Sequence, residues 1–140
     1  MLDNSYTFLV AEDDVDDRLL MEVAFQQYLS PEDQTTFFEN GRDLVEYLQK
    51  SGNSSQKMIV IVDLNMPIMN GKEVITYLKK DRKFCHMPLI AFTTSRSEED
   101  VTYCYDNGVN AFMVKPTTFD QMERAIGNMV NFWKDVRLAG

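Results

Sequence analysis

The chain has 140 residues, 44% of them hydrophobic and 26% charged; a length of that order supports one core and one domain, read here as residues 1–140. Its net charge of −8 excludes duplex DNA and anionic membranes as direct partners, because both select basic surfaces. No apolar run approaches the ~18 residues of a membrane span, and the N-terminal MLDNSYTFLV carries no basic region or cleavage signature, so the expected location is the cytoplasm.

Tyr6 to Ala11 (YTFLVA) is a short apolar run, read as a first strand, and it ends in Glu12, Asp13 and Asp14. Asp14 is placed to cap a helix over Arg18 to Leu29, with Asp16 and Asp17 in a first turn where the helix dipole favours negative charge. Leu20, Val23, Ala24 and Phe25 form the predicted buried face of that helix. Ser30 to Gln34 is a loop and Thr35 to Phe38 a brief strand. Gly41 then opens a helix whose Leu44, Val45 and Leu48 recur at helical spacing. Ser51 to Gln56 (SGNSSQ) is a polar connection.

Ile59 to Val62 is an unbroken apolar run with neither helical nor alternating pattern, which reads as a strand covered on both faces at the centre of a parallel sheet. It ends on Asp63, and Pro67, which cannot donate to a sheet ladder, turns the chain away. After Asn70-Gly71 a helix runs over Lys72 to Lys80 with Val74, Ile75 and Leu78 inward. Pro88 precedes a strand, Leu89 to Phe92, which ends on Thr93-Thr94-Ser95. Ser97 and Asp100 have the spacing of a capping pair for a helix over Glu98 to Asn107, stopped by Gly108. Ala111 to Val114 is the last strand, ending on Lys115-Pro116, and a final helix covers Phe119 to Val136 with Met122, Ile126, Met129, Val130 and Trp133 on one side. The nine methionines fall on core faces and fill space. Cys85 and Cys104 read as free thiols, and Cys85-His86 supplies too few ligands for zinc.

Strands alternating with helices imply a parallel sheet with helices on both faces. The strand ends then share one edge, which gathers Glu12-Asp13, Asp63, Thr93 and Lys115 from segments far apart in sequence. Clustered carboxylates repel by ~4 kcal/mol per close pair at an effective dielectric of 20, so something positive must sit among them. A hard divalent cation such as Mg²⁺ suits carboxylate and backbone oxygens, and Lys115 adds a fixed charge. With both in place a carboxylate can attack a phosphoryl group and form an aspartyl phosphate, while the Thr93 hydroxyl donates to a phosphoryl oxygen. The plainer alternative is an acidic pocket that Lys115 merely neutralises.

In order and spacing, FLVAEDD, VDLNMP, NG, FTTS and VKP make the chain resemble the receiver domains of two-component response regulators over nearly its whole length. That resemblance implies a flavodoxin-like (βα)5 fold with strand order 2-1-3-4-5 and phosphorylation at Asp63. It implies Mg²⁺ held by Glu12, Asp13, Asp63 and the backbone carbonyl of Asn65, with Lys115 pairing the phosphate. Thr93 and Phe112 would be the switch pair, and the Lys115–Pro116 bond cis. Glu12, one methylene longer than the Asp common there, would reach the metal through water. Thr94 would narrow access to the phosphoryl group, and Phe112 brings no hydroxyl. FTTSRSEED, KDRKFCHMP and FDQMERAIGNMVNFW are similar to the single-domain regulators associated with bacterial phytochromes. The implied protein is a signalling switch rather than an enzyme, phosphorylated by a histidine kinase or phosphotransfer protein. It acts on a downstream protein through the face of helix four, strand five and helix five. The end of that face, with Val130, Phe132 and Trp133, would serve a homodimer or partner contact, or simply pack the core.

Three rival readings belong to other classes. A phosphatase with a strand-end Asp nucleophile would want a proton donor two residues on, where Asn65 stands. A flavin or nucleotide binder would want a Gly- or hydroxyl-rich phosphate loop where Glu12-Asp13-Asp14 stand. A receiver fold used only as a constitutive binding module would take up no phosphoryl group.

Overall fold

Apolar runs without alternation can be strands only where helices bury both sides of them. The computed structural model describes residues 5–51 and 57–138 and places every such run that way. In chain order the elements are β1 (Tyr6–Ala11), α1 (Val15–Tyr28), β2 (Gln34–Phe38), α2 (Gly41–Ser51), β3 (Lys57–Val62), α3 (Gly71–Lys80), β4 (Leu89–Thr93), α4 (Glu98–Asp106), β5 (Ala111–Val114) and α5 (Phe119–Asp135). The sheet is parallel throughout with order β2-β1-β3-β4-β5, the flavodoxin-like arrangement. Most of the Ser51–Gln56 connection, and the first four residues, lie outside the described residues.

Alternation along the strands divides the core in two. Leu9, Val60, Val62, Leu89 and Ala91 face α2, α3 and α4, where they meet Leu44, Leu48, Val74, Ile75 and Cys104. Phe8, Val10, Ile59, Ile61, Ile90 and Phe92 face α1 and α5, where they meet Phe25, Met122, Ile126 and Val130. Both cysteines are free thiols, and burial pushes that of Cys104 up to about 11, which leaves it protonated. At the far end of the sheet from the strand termini, Lys134 of α5 donates to Asp33 and Ser30 at 2.5 and 2.9 Å, and the Tyr6 hydroxyl donates to the Lys134 carbonyl at 3.0 Å. These bonds tie α5 to the first strand.

Several expectations need correction. The α1 helix starts at Val15, directly after its cap, because the Asp14 carboxylate accepts the Asp17 N–H. Val23 is 45% exposed, and the buried face is Met21, Ala24 and Phe25. This helix carries apolar side chains on both sides, and only the set spaced three and four apart around Phe25 meets the sheet. Ser97 does cap α4, but the pair is not reciprocal: the Asp100 carboxylate turns instead to Ser95 and Lys72. At the end of α5, Val130 is fully buried and Trp133 packs half-buried against the core, as the core-packing alternative expects, while Phe132, edge to face with Trp133 at 5.0 Å, is exposed. No peptide bond among the described residues is cis, so Lys115–Pro116 is trans, the lower-energy isomer. The Lys115 N–H, donating to the Thr93 carbonyl at 2.8 Å, already delivers the lysine to the sheet edge in that form.

Candidate functional site at the carboxyl edge of the sheet

Strand register brings the acids together. Ala11 pairs with Val62, so the residues that follow, Glu12 and Asp63, emerge side by side, and the Asp63 N–H donates to the Ala11 carbonyl at 3.1 Å. Glu12 is held from the other side by its N–H donating to the Phe38 carbonyl at 2.9 Å. Asp63 then enters a tightly fixed loop. Its Oδ1 accepts the Asn65 N–H at 3.2 Å, and Ile68, at φ 67°, centres a tight turn closed by the Met69 N–H on the Pro67 carbonyl at 2.7 Å. A β-branched residue in that region is strained, and the loop is held on both flanks by bonds from Gly41 N–H to Met69 and from Gly71 N–H to Leu64.

Lys115 sits in the centre. Its side chain is 4% exposed, and its ammonium pairs with Glu12, with Asp63 Oδ2 at 2.8 Å and with Asp17 Oδ2 at 2.8 Å. Burial opposes the lysine's charge, but hydrogen bonds to Asp17, Asp63 and Glu12 outweigh it and raise its pKa above the ordinary lysine value. Asp13 is exposed at the mouth. Glu12, Asp13 and Asp63 each offer an oxygen, all within 4.8 Å of one another. An all-oxygen donor set with one exposed member fits a hard, partly hydrated cation such as Mg²⁺ and not a soft metal.

Burial, reinforced by the neighbouring Asp63 charge and opposed by Lys115, pushes the Glu12 carboxyl up to about 7. A carboxyl raised in the folded state favours folding fully below its unfolded pKa, and that contribution is lost as pH rises through 7. Cation binding runs the other way, since an incoming ion must displace the proton. A Mg²⁺ ion held by the Glu12 carboxylate would therefore lose affinity as pH falls below 7, by up to about tenfold per pH unit. Calorimetry from pH 8 to pH 5.5 checks this, with proton release near neutrality as the companion signal; a flat affinity over that range would show Glu12 ionised throughout.

Thr93 is completely buried at the end of β4, where its Oγ1 accepts the Ser95 N–H at 3.3 Å. Phe112 pairs with Ala91 in the register and packs, half-buried, with the core cluster that faces α2, α3 and α4, so it shares a sheet face with Thr93 two residues on. The Phe112 N–H donates to the Tyr105 hydroxyl of α4 at 3.1 Å. Thr94, the residue expected to narrow access, is exposed.

A polar cluster beside the cation ligands joins α3 to α4. Lys72 pairs with Asp100 at 2.6 Å, Asp100 accepts the Ser95 hydroxyl at 2.5 Å, and the Lys72 ammonium lies 5.1 Å from the Tyr103 ring centre. Lys72 holds the Asp100 carboxyl below its usual range, and Ser95 adds to this.

The structure thus brings Glu12, Asp13, Asp63 and Lys115 to one rim, with Thr93 and Asn65 at its borders. Sequence reading missed Asp17, treated as a dipole residue only, and the Lys72–Asp100 pair. The signal for Asp17 was its place three residues past the cap, which returns its side chain over the strand ends.

Known proteins match this arrangement. The family profile described as response regulator receiver domain covers residues 8–127. Response regulator Rcp1 of Synechocystis sp. is 27% identical over 128 residues, covering 89% of this chain and 86% of its own length; the crystal structure of its Mn²⁺-bound form superposes with a TM-score of 0.85 at 23% identity, covering 96% and 99%. The phosphorylated cyanobacterial phytochrome response regulator RcpA gives a TM-score of 0.88 at 23% identity, covering 97% of this chain and 99% of that one. Response regulator RPA3017, from red light signaling of R. palustris, gives 0.83 at 30% identity, covering 96% and 99%.

Proposed function

Because this chain belongs to the response regulator receiver domain family, we propose that it is the receiver of a two-component phosphorelay and accepts a phosphoryl group on Asp63. The observation that carries the reading is the Lys115 ammonium 2.8 Å from Asp63 Oδ2, beside the oxygens of Glu12 and Asp13.

A carboxylate oxygen of Asp63 attacks the phosphorus of a phosphohistidine on a histidine kinase or phosphotransfer protein. The new O–P bond forms as the N–P bond breaks, and the electron pair leaves on the imidazole nitrogen, which takes a proton from solvent. Glu12, Asp13, Asp63 and the Asn65 carbonyl would hold Mg²⁺, which when bound neutralises charge on the phosphoryl oxygens. Lys115 orients Asp63 beforehand and passes an N–H to a phosphoryl oxygen afterwards. Thr93 gives up the Ser95 N–H and turns its hydroxyl toward the phosphoryl group, and the Phe112 ring fills the space it leaves. Population then shifts to the active arrangement of the α4-β5-α5 face.

The chain so read is a cytoplasmic signalling protein, not a turnover enzyme, with output to a protein target or through a homodimer using Phe132 and Trp133. Among the described residues no helix is long and apolar enough to cross a membrane. The likeness to RcpA supports a phytochrome-type kinase as donor.

Acetyl phosphate and Mg²⁺ are expected to add one phosphoryl mass to the protein, detected by intact-mass spectrometry, with none on Asp63→Asn. Failure to gain that mass, with a histidine kinase also supplied, would leave the constitutive binding module as the better reading.

A further inference from the structure

An ammonium group has three N–H donors, and carboxylates take all three of those on Lys115: Glu12, Asp17 and Asp63. Two of these acceptors have other work in the proposed function, on which this inference rests. Asp63 receives the phosphoryl group and Glu12 holds the cation. Asp17 has neither task and lies outside the group of carboxylates whose oxygens could share an ion. Its place is fixed independently of the rim: it is the third residue of α1, and its backbone N–H donates to the Asp14 cap at 2.9 Å. Its carboxylate, 30% exposed, forms the outer wall against a lysine that is itself shut off from solvent.

We infer that Asp17 is the positioning residue for Lys115. It keeps the ammonium at the rim when a cation draws Glu12 away, and again when the third N–H passes from Asp63 to a phosphoryl oxygen. A lysine stem has four flexible carbons and its head is a point charge, so direction comes only from its acceptors. With Glu12 and Asp63 both engaged elsewhere, Asp17 is the acceptor left to aim it.

The test compares the unaltered full chain with Asp17→Ala and Asp17→Asn, in Mg²⁺ alone and in Mg²⁺ with beryllofluoride, a small phosphoryl mimic. The nitrogen-15 resonance of the Lys115 ammonium reports its hydrogen bonding directly, and calorimetry reports beryllofluoride affinity. In the unaltered chain the ammonium signal is expected to stay in slow exchange with solvent when Mg²⁺ is added. In Asp17→Ala the same addition removes the signal, and beryllofluoride binds about tenfold more weakly. Asp17→Asn, whose amide oxygen still accepts an N–H, keeps the signal and most of the affinity. An ammonium signal that survives Mg²⁺ in Asp17→Ala overturns the inference. So does beryllofluoride binding equal to or tighter than that of the unaltered chain, which would make Asp17 a competitor for the lysine. If the unaltered chain itself fails to bind beryllofluoride, the phosphoacceptor reading falls, and the ammonium signal in Mg²⁺ still decides the part played by Asp17.

Discussion

Lys115→Met is expected to cost the fold about 3–5 kcal/mol at pH 8, the range seen when one partner is taken from a buried ion pair. The methionine keeps the volume of the lysine stem, so the loss is electrostatic. Among the described residues Lys115 is the one cation paired with Glu12 and Asp63, which are 1% and 8% exposed, and without it the two carboxylates sit on paired strands with no other ion-pair partner among those residues. Two companion measurements separate this from a packing defect. Without the lysine, nothing offsets the burial that raises the Glu12 carboxyl, so it favours the protonated form in the folded state and the folded chain binds more protons than the unfolded one. Stability of the variant therefore recovers as pH falls toward 5 and is lost again as pH rises. Mg²⁺ is also expected to stabilise the variant more than the unaltered chain, because a bound cation would supply the missing charge. Urea unfolding over a pH series, with and without Mg²⁺, reads all three effects. A loss below ~1 kcal/mol, the scale of a surface pair, would mean that water already screens the rim.

Gly71→Ala is the second large effect, and it acts through backbone rather than charge. A Cβ at Gly71 would stand 2.2 Å from the Asp63 carbonyl oxygen and 2.7 Å from the Leu64 Cα. Neither atom can yield without moving the peptide that carries Asp63. Overpacking costs 1–3 kcal/mol in ordinary cores, and here the obstacle is main chain, so about 3 kcal/mol or more is expected, roughly 10 °C in melting temperature. The Asp63–Lys115 bond should loosen with it, and phosphoryl uptake from acetyl phosphate should fall beyond what partial unfolding explains. Gly127→Ala is the control. The three atoms nearest its new Cβ all belong to the Tyr28 ring, the closest at 2.5 Å, so the obstacle there is a half-buried side chain and not main chain. A melting temperature for Gly71→Ala as high as that of the control would show that α3 shifts freely against the Asp63–Leu64 peptide.

Both variants reach Asp63, one through its partner and one through its backbone, and sequence reading anticipated only the first. Asp63 and Lys115 were legible because each ends an apolar run, and parallel strands put all such ends on one edge. The close approach at Gly71 was not. It appeared only as the dipeptide Asn70-Gly71 ahead of a helix, and nothing in the dipeptide says that the peptide following β3 passes within contact distance.

The buried runs, the helix stops and the caps at Asp14 and Ser97 were set by local chemistry: apolar continuity, a carboxylate or hydroxyl before a helix, and Gly108 at φ 97° where a side chain would be strained. These rules act over a few residues, so the sequence alone determined the strand and helix succession and the set of groups delivered to the edge. Which face of α1 is buried, the turning of Asp100 from its cap toward Lys72, and the arrival of Asp17 at Lys115 were decided only in the tertiary structure. Each is a choice between partners nearly equal in local chemistry but far apart along the chain, and the choice is made by which of them packing brings within hydrogen-bonding or van der Waals reach.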